Sequence, residues 1–142
     1  MAPTTVRQRN GGRGEAAAAR YLQGLGWRVL GRQVRVGRDE VDIVALDPGP
    51  PANLVAVEVR SRSSARFGPP EASVDWAKLG HCYRAMGALR RAGRLADGTR
   101  LPPLPWRVDL IAVELDRGDG AVGGDPVVPG PRVRHLRRVL PP

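Results

Sequence analysis

Two acidic residues, Asp42 and Glu58, lie in apolar segments on either side of a Pro- and Gly-rich turn. The segments 40–46 and 53–60 are rich in β-branched residues, which is typical of strands joined as a hairpin. In a hairpin centred near Pro50, residues equally far from the turn face each other, so Asp42 lies opposite Glu58 on one face. The sequence therefore predicts that two carboxylates meet on the sheet.

Such a pair of like charges in an apolar sheet is destabilising unless a proton or a cation lies between them. Oxygen ligands favour magnesium or manganese, which bind one or two protein carboxylates together with water and phosphate. A metal there would polarise a phosphodiester and activate a water molecule. The alternative is a structural hairpin ion pair, in which Glu40 lies opposite Arg60 by the same geometry.

The helices and strands that position this pair of carboxylates can be predicted from the spacing of apolar residues. Apolar residues spaced by three and four predict a first helix over 14–25, ended by glycines. Ser73 or Asp75 can cap a second helix that runs to about residue 91. Strands are predicted at 27–36 with a break near Gly31, at 40–46, 53–60 and 106–115, and at 133–139. This order predicts an α/β domain with a mixed β-sheet flanked by helices, its middle strands covered on both faces.

The length of 142 residues, 42% of them hydrophobic, fits one domain over 11–142 after a flexible tail over 1–10. Gly, Pro and Asp dominate 116–131, which predicts a mobile loop. Cys82 is the only cysteine, so the expected setting is the reducing cytoplasm. No apolar run approaches the roughly 18 residues of a spanning helix, so we expect no membrane partner.

Charge indicates the class of partner. The chain has 23 Lys and Arg against 14 Asp and Glu, a formal net charge of +9, and such a field attracts nucleic acid first. GC-rich coding explains the preference for arginine over lysine but not the surplus of positive charge. The candidate nucleic-acid contacts are Arg35, Arg38, Arg62 and Arg66. A second basic group near the C-terminal end is either a phosphate-binding edge or a charged edge strand; it consists of Arg132, Arg134, Arg137 and Arg138.

Several short motifs together carry a resemblance. They are Gly14-Glu15 at the start of a helix, Asp-Glu-Val-Asp-Ile-Val over 39–44, Val-Glu-Val-Arg-Ser-Arg over 57–62, and Phe67-Gly68. In this order they resemble the YraN-like family of uncharacterised bacterial proteins, which is grouped with the restriction-endonuclease-like, or PD-(D/E)XK, nucleases. The resemblance covers roughly 11–91 and continues weakly through 106–110.

The resemblance implies a metal-dependent endonuclease, with Asp42 and Glu58 holding Mg²⁺ or Mn²⁺. We expect its substrate to be DNA, and RNA is the alternative that the sequence leaves open. Glu15 would complete the site, and its spacing from Ala18 and Leu22 allows this because it lies on the inward stripe of the first helix. The alternative for Glu15 is a first-turn carboxylate stabilised by the helix dipole. A homodimer is compatible with cleavage of both strands, with Trp76 or Trp106 as a candidate interface residue.

The chain departs from the family pattern at Arg60, where the pattern has lysine. Lysine can orient or deprotonate the attacking water, whereas arginine stays protonated, although it can still hold a phosphate. One alternative is that Lys78, the only lysine of the chain, supplies the ammonium from the second helix; the other is that Lys78 is a solvated surface residue. Arg60 therefore also leaves open a non-catalytic nucleic-acid-binding protein on a nuclease-like scaffold.

Overall fold

The computed structural model describes residues 6–62, 74–115 and 132–140. The predicted loop at 116–131 and the candidate contact Arg66 lie outside these residues. The two helices are α1 (Val6–Gly24) and α2 (Trp76–Ala92), and the five strands are β1 (Arg28–Val36), β2 (Asp39–Asp47), β3 (Asn53–Arg62), β4 (Trp106–Glu114) and β5 (Arg132–Leu136).

The strands form one sheet in the order β1-β2-β3-β4-β5. Only β3 and β4 are parallel, and the other neighbours are antiparallel. A parallel pair needs a crossover, which α2 provides between these two strands. The predicted mixed sheet is confirmed, and so is the break in β1, where the register shifts between Val29 and Gly31. This arrangement is compatible with a restriction-endonuclease-like core.

The central strands bury both of their faces, as predicted. On one face, Ile43, Val55 and Val57 pack against the alanine-rich side of α1. On the other face, Val44 and Ala56 pack beneath α2. Because successive strand residues point to opposite faces, this two-sided burial explains why β2 and β3 read as nearly continuous apolar runs.

Helix α1 begins at Val6, eight residues before the predicted start at Gly14, so residues 6–10 are helical where the sequence predicted a tail. The glycines at 11, 12 and 14 concealed this extension, since glycine disfavours helix interiors. Once the packed turns around Leu22 hold the helix in place, adding a residue to its end costs far less than starting a new helix. The glycines of this segment therefore do not determine where the helix begins.

The β2–β3 hairpin has the predicted register. Its residue pairs run from Ile43 opposite Val57 to Asp47 opposite Asn53, each pair equally far from Pro50. The turn requires glycine at position 49, because φ is +63° and an added Cβ would lie 2.1 Å from the Pro51 carbonyl group. The turn thus fixes which residues of β2 and β3 face each other.

Helix α2 begins where the sequence predicted. The Asp75 carboxylate accepts a hydrogen bond from the Lys78 backbone N–H, and Gly93, in a left-handed conformation, caps the helix after Ala92. Arg84 donates two hydrogen bonds to the carboxylate of Asp39, at 2.7 and 2.6 Å, and so ties α2 to the start of β2. Within the described ranges, neither helix is long and apolar enough to cross a membrane.

Gly14 lets α1 approach β3 closely. A Cβ added there would lie 2.9 Å from the Cβ of Ser61, whereas a Cβ at Gly12 would meet nothing within 4 Å. Because the Ser61 Cβ belongs to a packed strand, it cannot move aside without moving the backbone.

We therefore expect Gly14→Ala to destabilise the fold by about 1–3 kcal/mol, since overpacking outweighs the gain in helix propensity. The matched variant Gly12→Ala, in the same helix, should stabilise the protein by about 0.5–1 kcal/mol. Urea unfolding followed by circular dichroism measures both changes. Equal effects of the two substitutions would show that α1 does not make this close approach.

Candidate functional site

The candidate site lies where β2 and β3 separate. Their ladder of paired residues ends at Ile43 and Val57, so Asp42 and Glu58 are the next residues on each strand. Here the Asp42 carboxylate accepts a hydrogen bond from the backbone N–H of Val59 at 2.8 Å. A side chain of β2 thus reaches across to β3 directly beside Glu58.

Glu58 is a buried acid whose hydrogen-bonding capacity is unfulfilled. Its side chain is 4% exposed, and the Lys78 Nζ lies 3.0 Å from its Oε1. The ammonium attracts this oxygen without the geometry of a hydrogen bond, and Oε1 has no hydrogen-bond partner in the described structure. Burial, together with the neighbouring Asp42 carboxylate, raises the pKa of Glu58 from its ordinary 4.5 to about 7.

Lys78 comes from the first turns of α2; its side chain is 51% exposed, and its Nζ lies at the edge of the site beside Glu58. Partial burial lowers its pKa, but attraction to the Glu58 carboxylate outweighs this, so the net pKa of Lys78 is raised. Arg60 is two residues beyond Glu58 on β3, so both side chains lie on the same face of the sheet, and the charge of Arg60 opposes the rise in the pKa of Lys78. The structure therefore brings together four of the five predicted catalytic residues: Asp42, Glu58, Arg60 and Lys78.

Glu15 has contacts of its own on β1, and among the described residues it does not form a metal-holding group of three acids with Asp42 and Glu58. Its buried carboxylate accepts hydrogen bonds from Arg32 Nε at 2.9 Å and from Gln33 Nε2 at 3.3 Å, both on β1. Gln33 lies between Arg32 and Val34, which stand opposite Ile43 and Val41, and α1 packs on the sheet face opposite to α2. The alternative based on the helix dipole is wrong as well, because α1 has no acidic residue in its first turn.

Sequence reasoning missed Arg32 and Gln33 as partners of Glu15. Both are polar residues on a strand next to an acidic β2 segment, and this was the only signal in the sequence. Gln33 also has a positive φ of 47°, a conformation that side-chain-bearing residues seldom adopt and that sequence alone does not reveal.

The predicted basic contacts lie around this end of the sheet. Arg35 is highly exposed, and its Nε lies 3.5 Å from the Glu40 carboxylate. The two residues stand opposite each other in the register of β1 and β2. The expected pairing of Glu40 opposite Arg60 is therefore wrong, because the β2–β3 ladder ends before it. Arg38 is exposed in the turn between β1 and β2, and Arg62 is the last residue of β3.

The donor set of the site fits a hard divalent cation. Asp42 and Glu58 present carboxylate oxygens to each other, one of them buried without a hydrogen-bond partner. In the described ranges, no group of three or more His, Cys, Asp or Glu residues could hold a metal ion. A site with two carboxylates suits Mg²⁺, which keeps several waters and needs only one or two protein ligands.

Fold and site together define a class: a mixed α/β protein with an acidic pair at the divergence of two central strands. The family model described as "Uncharacterised protein family UPF0102" matches residues 14–113. The chain is 41% identical over 129 residues to a UPF0102 protein of Arthrobacter sp. (strain FB24), covering 91% of this chain and 93% of that one. It is 41% identical over 121 residues to a UPF0102 protein of Moorella thermoacetica, covering 84% and 92%. The chain therefore belongs to the UPF0102 family.

The raised pKa of Glu58 predicts a pH-dependent stability. Below pH 4.5 the carboxyl is protonated in both the folded and unfolded states. Between 4.5 and about 7 only the folded state keeps the proton, so stability falls as pH rises through this window. The shift corresponds to about 3 kcal/mol.

We expect the free energy of unfolding of wild type, minus that of Glu58→Gln, to fall by about 3 kcal/mol across this window. Urea unfolding at a series of pH values measures the difference. The control Glu40→Gln, at an exposed position, should give a difference that barely changes with pH. A flat difference for Glu58→Gln would contradict the assigned environment.

Proposed function

We propose that this protein is a metal-dependent endonuclease that hydrolyses phosphodiester bonds in DNA. The observation that carries the proposal is the meeting of Asp42 with the buried, incompletely hydrogen-bonded Glu58 beside the Lys78 ammonium. The net charge of +9 supports a polyanionic substrate. The order of the motifs around these residues, which resembles that of restriction-endonuclease-like nucleases, supports the reaction class.

Asp42 and Glu58 would hold Mg²⁺ or Mn²⁺. Such an ion, when bound, supplies positive charge that polarises a phosphate and lowers the pKa of a bound water. The two carboxylates must both be ionised to act as ligands. Because the pKa of Glu58 is about 7, the affinity of the pair for a cation should rise as pH increases towards and above neutrality.

Lys78 and Arg60 supply positive charge on the substrate side of the proposed reaction. The raised pKa of Lys78 keeps its ammonium protonated, so Lys78 stabilises negative charge on a phosphate rather than removing a proton from water. Arg60, which is always protonated, can bind a phosphate oxygen but cannot act as a base. The lysine function that the family pattern places at position 60 is thereby assigned to Lys78.

A second candidate is a nucleic-acid-binding protein without catalytic activity. The observation that favours it is the ion pair between Lys78 and Glu58, because an ammonium in this position already offsets the acidic charge without a metal ion. Arg60 would then act as a permanent phosphate clamp.

The test is cleavage of supercoiled plasmid DNA with Mg²⁺ or Mn²⁺, and with a chelator. We expect metal-dependent nicking by the wild type and its loss in Asp42→Asn and Glu58→Gln, because each removes one ligand. The control Glu40→Gln makes the same chemical change at an exposed carboxylate on β2 and should retain activity. Lys78→Met should lower the rate on the order of 100-fold.

Fluorescence anisotropy on labelled DNA separates the two candidates. Salt-dependent binding without any requirement for metal, and without nicking in either metal, would establish the binding protein and exclude the nuclease. Nicking that persists in Asp42→Asn and Glu58→Gln would place catalysis elsewhere.

A further inference from the structure

A second polar pocket lies at the hairpin end of the sheet. It has a volume of about 450 Å³ and is bounded by the turn at 48–51, Trp27 and the segment that follows β5. Asp47, which lines it, is five residues beyond Asp42 on β2, or roughly 16 Å along the strand. Trp27 belongs to the core on the α1 face, whereas Glu58 lies beneath α2. The pocket is therefore separate from the Asp42–Glu58 site.

One wall of the pocket is a fixed guanidinium. Arg107 is buried and donates hydrogen bonds to Asp47 at 2.8 Å and to Asp109 at 3.0 and 3.2 Å. Its guanidinium also lies 5.2 Å from the centroid of the Trp27 ring. Two carboxylates more than offset its single charge, so Arg107 shapes the pocket and contacts Trp27 without adding free positive charge.

Two further arginines line the same pocket and are exposed. The guanidinium of Arg137 lies 5.5 Å from the centroid of the Trp27 ring. Across residues 6–62, 74–115 and 132–140, neither Arg137 nor Arg138 forms an ion pair with a carboxylate. Both of these arginines, which line the pocket, are therefore without a carboxylate partner for their side chains among the described residues.

The backbone at Arg138 is held in an unusual conformation. Its φ is +55°, in the left-handed region that favours glycine or asparagine. Its N–H donates a hydrogen bond to Asp109 Oδ1 at 2.9 Å, so a fully buried carboxylate maintains this conformation. Residues held in such conformations are enriched at functional sites.

We propose that this pocket binds a phosphate group through Arg137 and Arg138. The planar fork of donors of a guanidinium matches phosphate oxygens, and hydrogen bonds between two charged groups are among the stronger ones in proteins. A volume of about 450 Å³ accommodates a nucleotide-sized ligand. The phosphate comes either from a nucleic-acid backbone or from a small phosphorylated molecule. This inference does not depend on the proposed nuclease activity.

Isothermal titration calorimetry with inorganic phosphate and with adenosine monophosphate, without divalent metal, tests the pocket directly. We expect binding by the wild type and on the order of 100-fold weaker binding by the double variant Arg137→Gln/Arg138→Gln, since two charge-assisted donors are lost. The control Arg90→Gln/Arg91→Gln removes the same charge from the end of α2 and should bind as wild type. Arg138→Asn, which suits a positive φ, should fold normally and also weaken binding.

A DNA-binding measurement on the same variants distinguishes the two sources of phosphate. If the ligand is a nucleic-acid backbone, the double variant should bind duplex DNA less tightly and with a smaller slope against salt concentration, reduced by about 1 per lost contact. If it is a small molecule, DNA binding should equal that of the control while binding of phosphate or adenosine monophosphate is lost. Equal behaviour of the double variant and the control towards all ligands would overturn the proposal, whatever the outcome of the cleavage assay.

Discussion

The candidate site depends on one constraint, which is the forced meeting of two carboxylates where β2 and β3 separate. The turn at Gly49 and the apolar pattern of both strands fix the hairpin register, and a slip of one residue would send every side chain of a strand to the opposite face. The fold therefore cannot easily avoid placing Asp42 beside Glu58. The ammonium of Lys78, delivered by α2, is the available compensation.

A comparison of two buried acids shows why only one of them is a candidate for chemistry. Asp109 is fully buried, yet it accepts hydrogen bonds from Arg107 and the Arg138 N–H and contacts His135 Nε2 at 2.8 Å. Burial raises the pKa of Asp109, but these partners outweigh burial and lower it. Glu58 has the opposite balance, because burial and a second carboxylate raise its pKa. A fully partnered buried acid stabilises the fold, whereas an incompletely partnered one can receive a proton or a cation.

The parts that could be predicted from the sequence are those that local geometry determines. The register that places Asp42 opposite Glu58 follows from a short turn and from the alternation of residues along the strands. The capping signal at Asp75 predicted where α2 begins, and this start fixes the position of Lys78 within the helix. The contact of Glu15 with Arg32 could not be predicted, because it depends on how α1 packs against β1, and no local sequence signal specifies that packing. The early start of α1 was hidden because extending an existing helix costs far less than starting one, so glycines that disfavour a helix do not fix where it begins.

The most direct test of the account is the titration of the Glu58 carboxyl carbon by ¹³C nuclear magnetic resonance, with its signal assigned by loss in Glu58→Gln. We expect Glu58 to have a pKa of about 7 without divalent metal and to titrate at distinctly lower pH in the presence of Mg²⁺, since a bound cation favours the ionised form. Asp42→Asn should abolish this response to Mg²⁺. Titration near the ordinary value of 4.5, unchanged by Mg²⁺, would contradict the account.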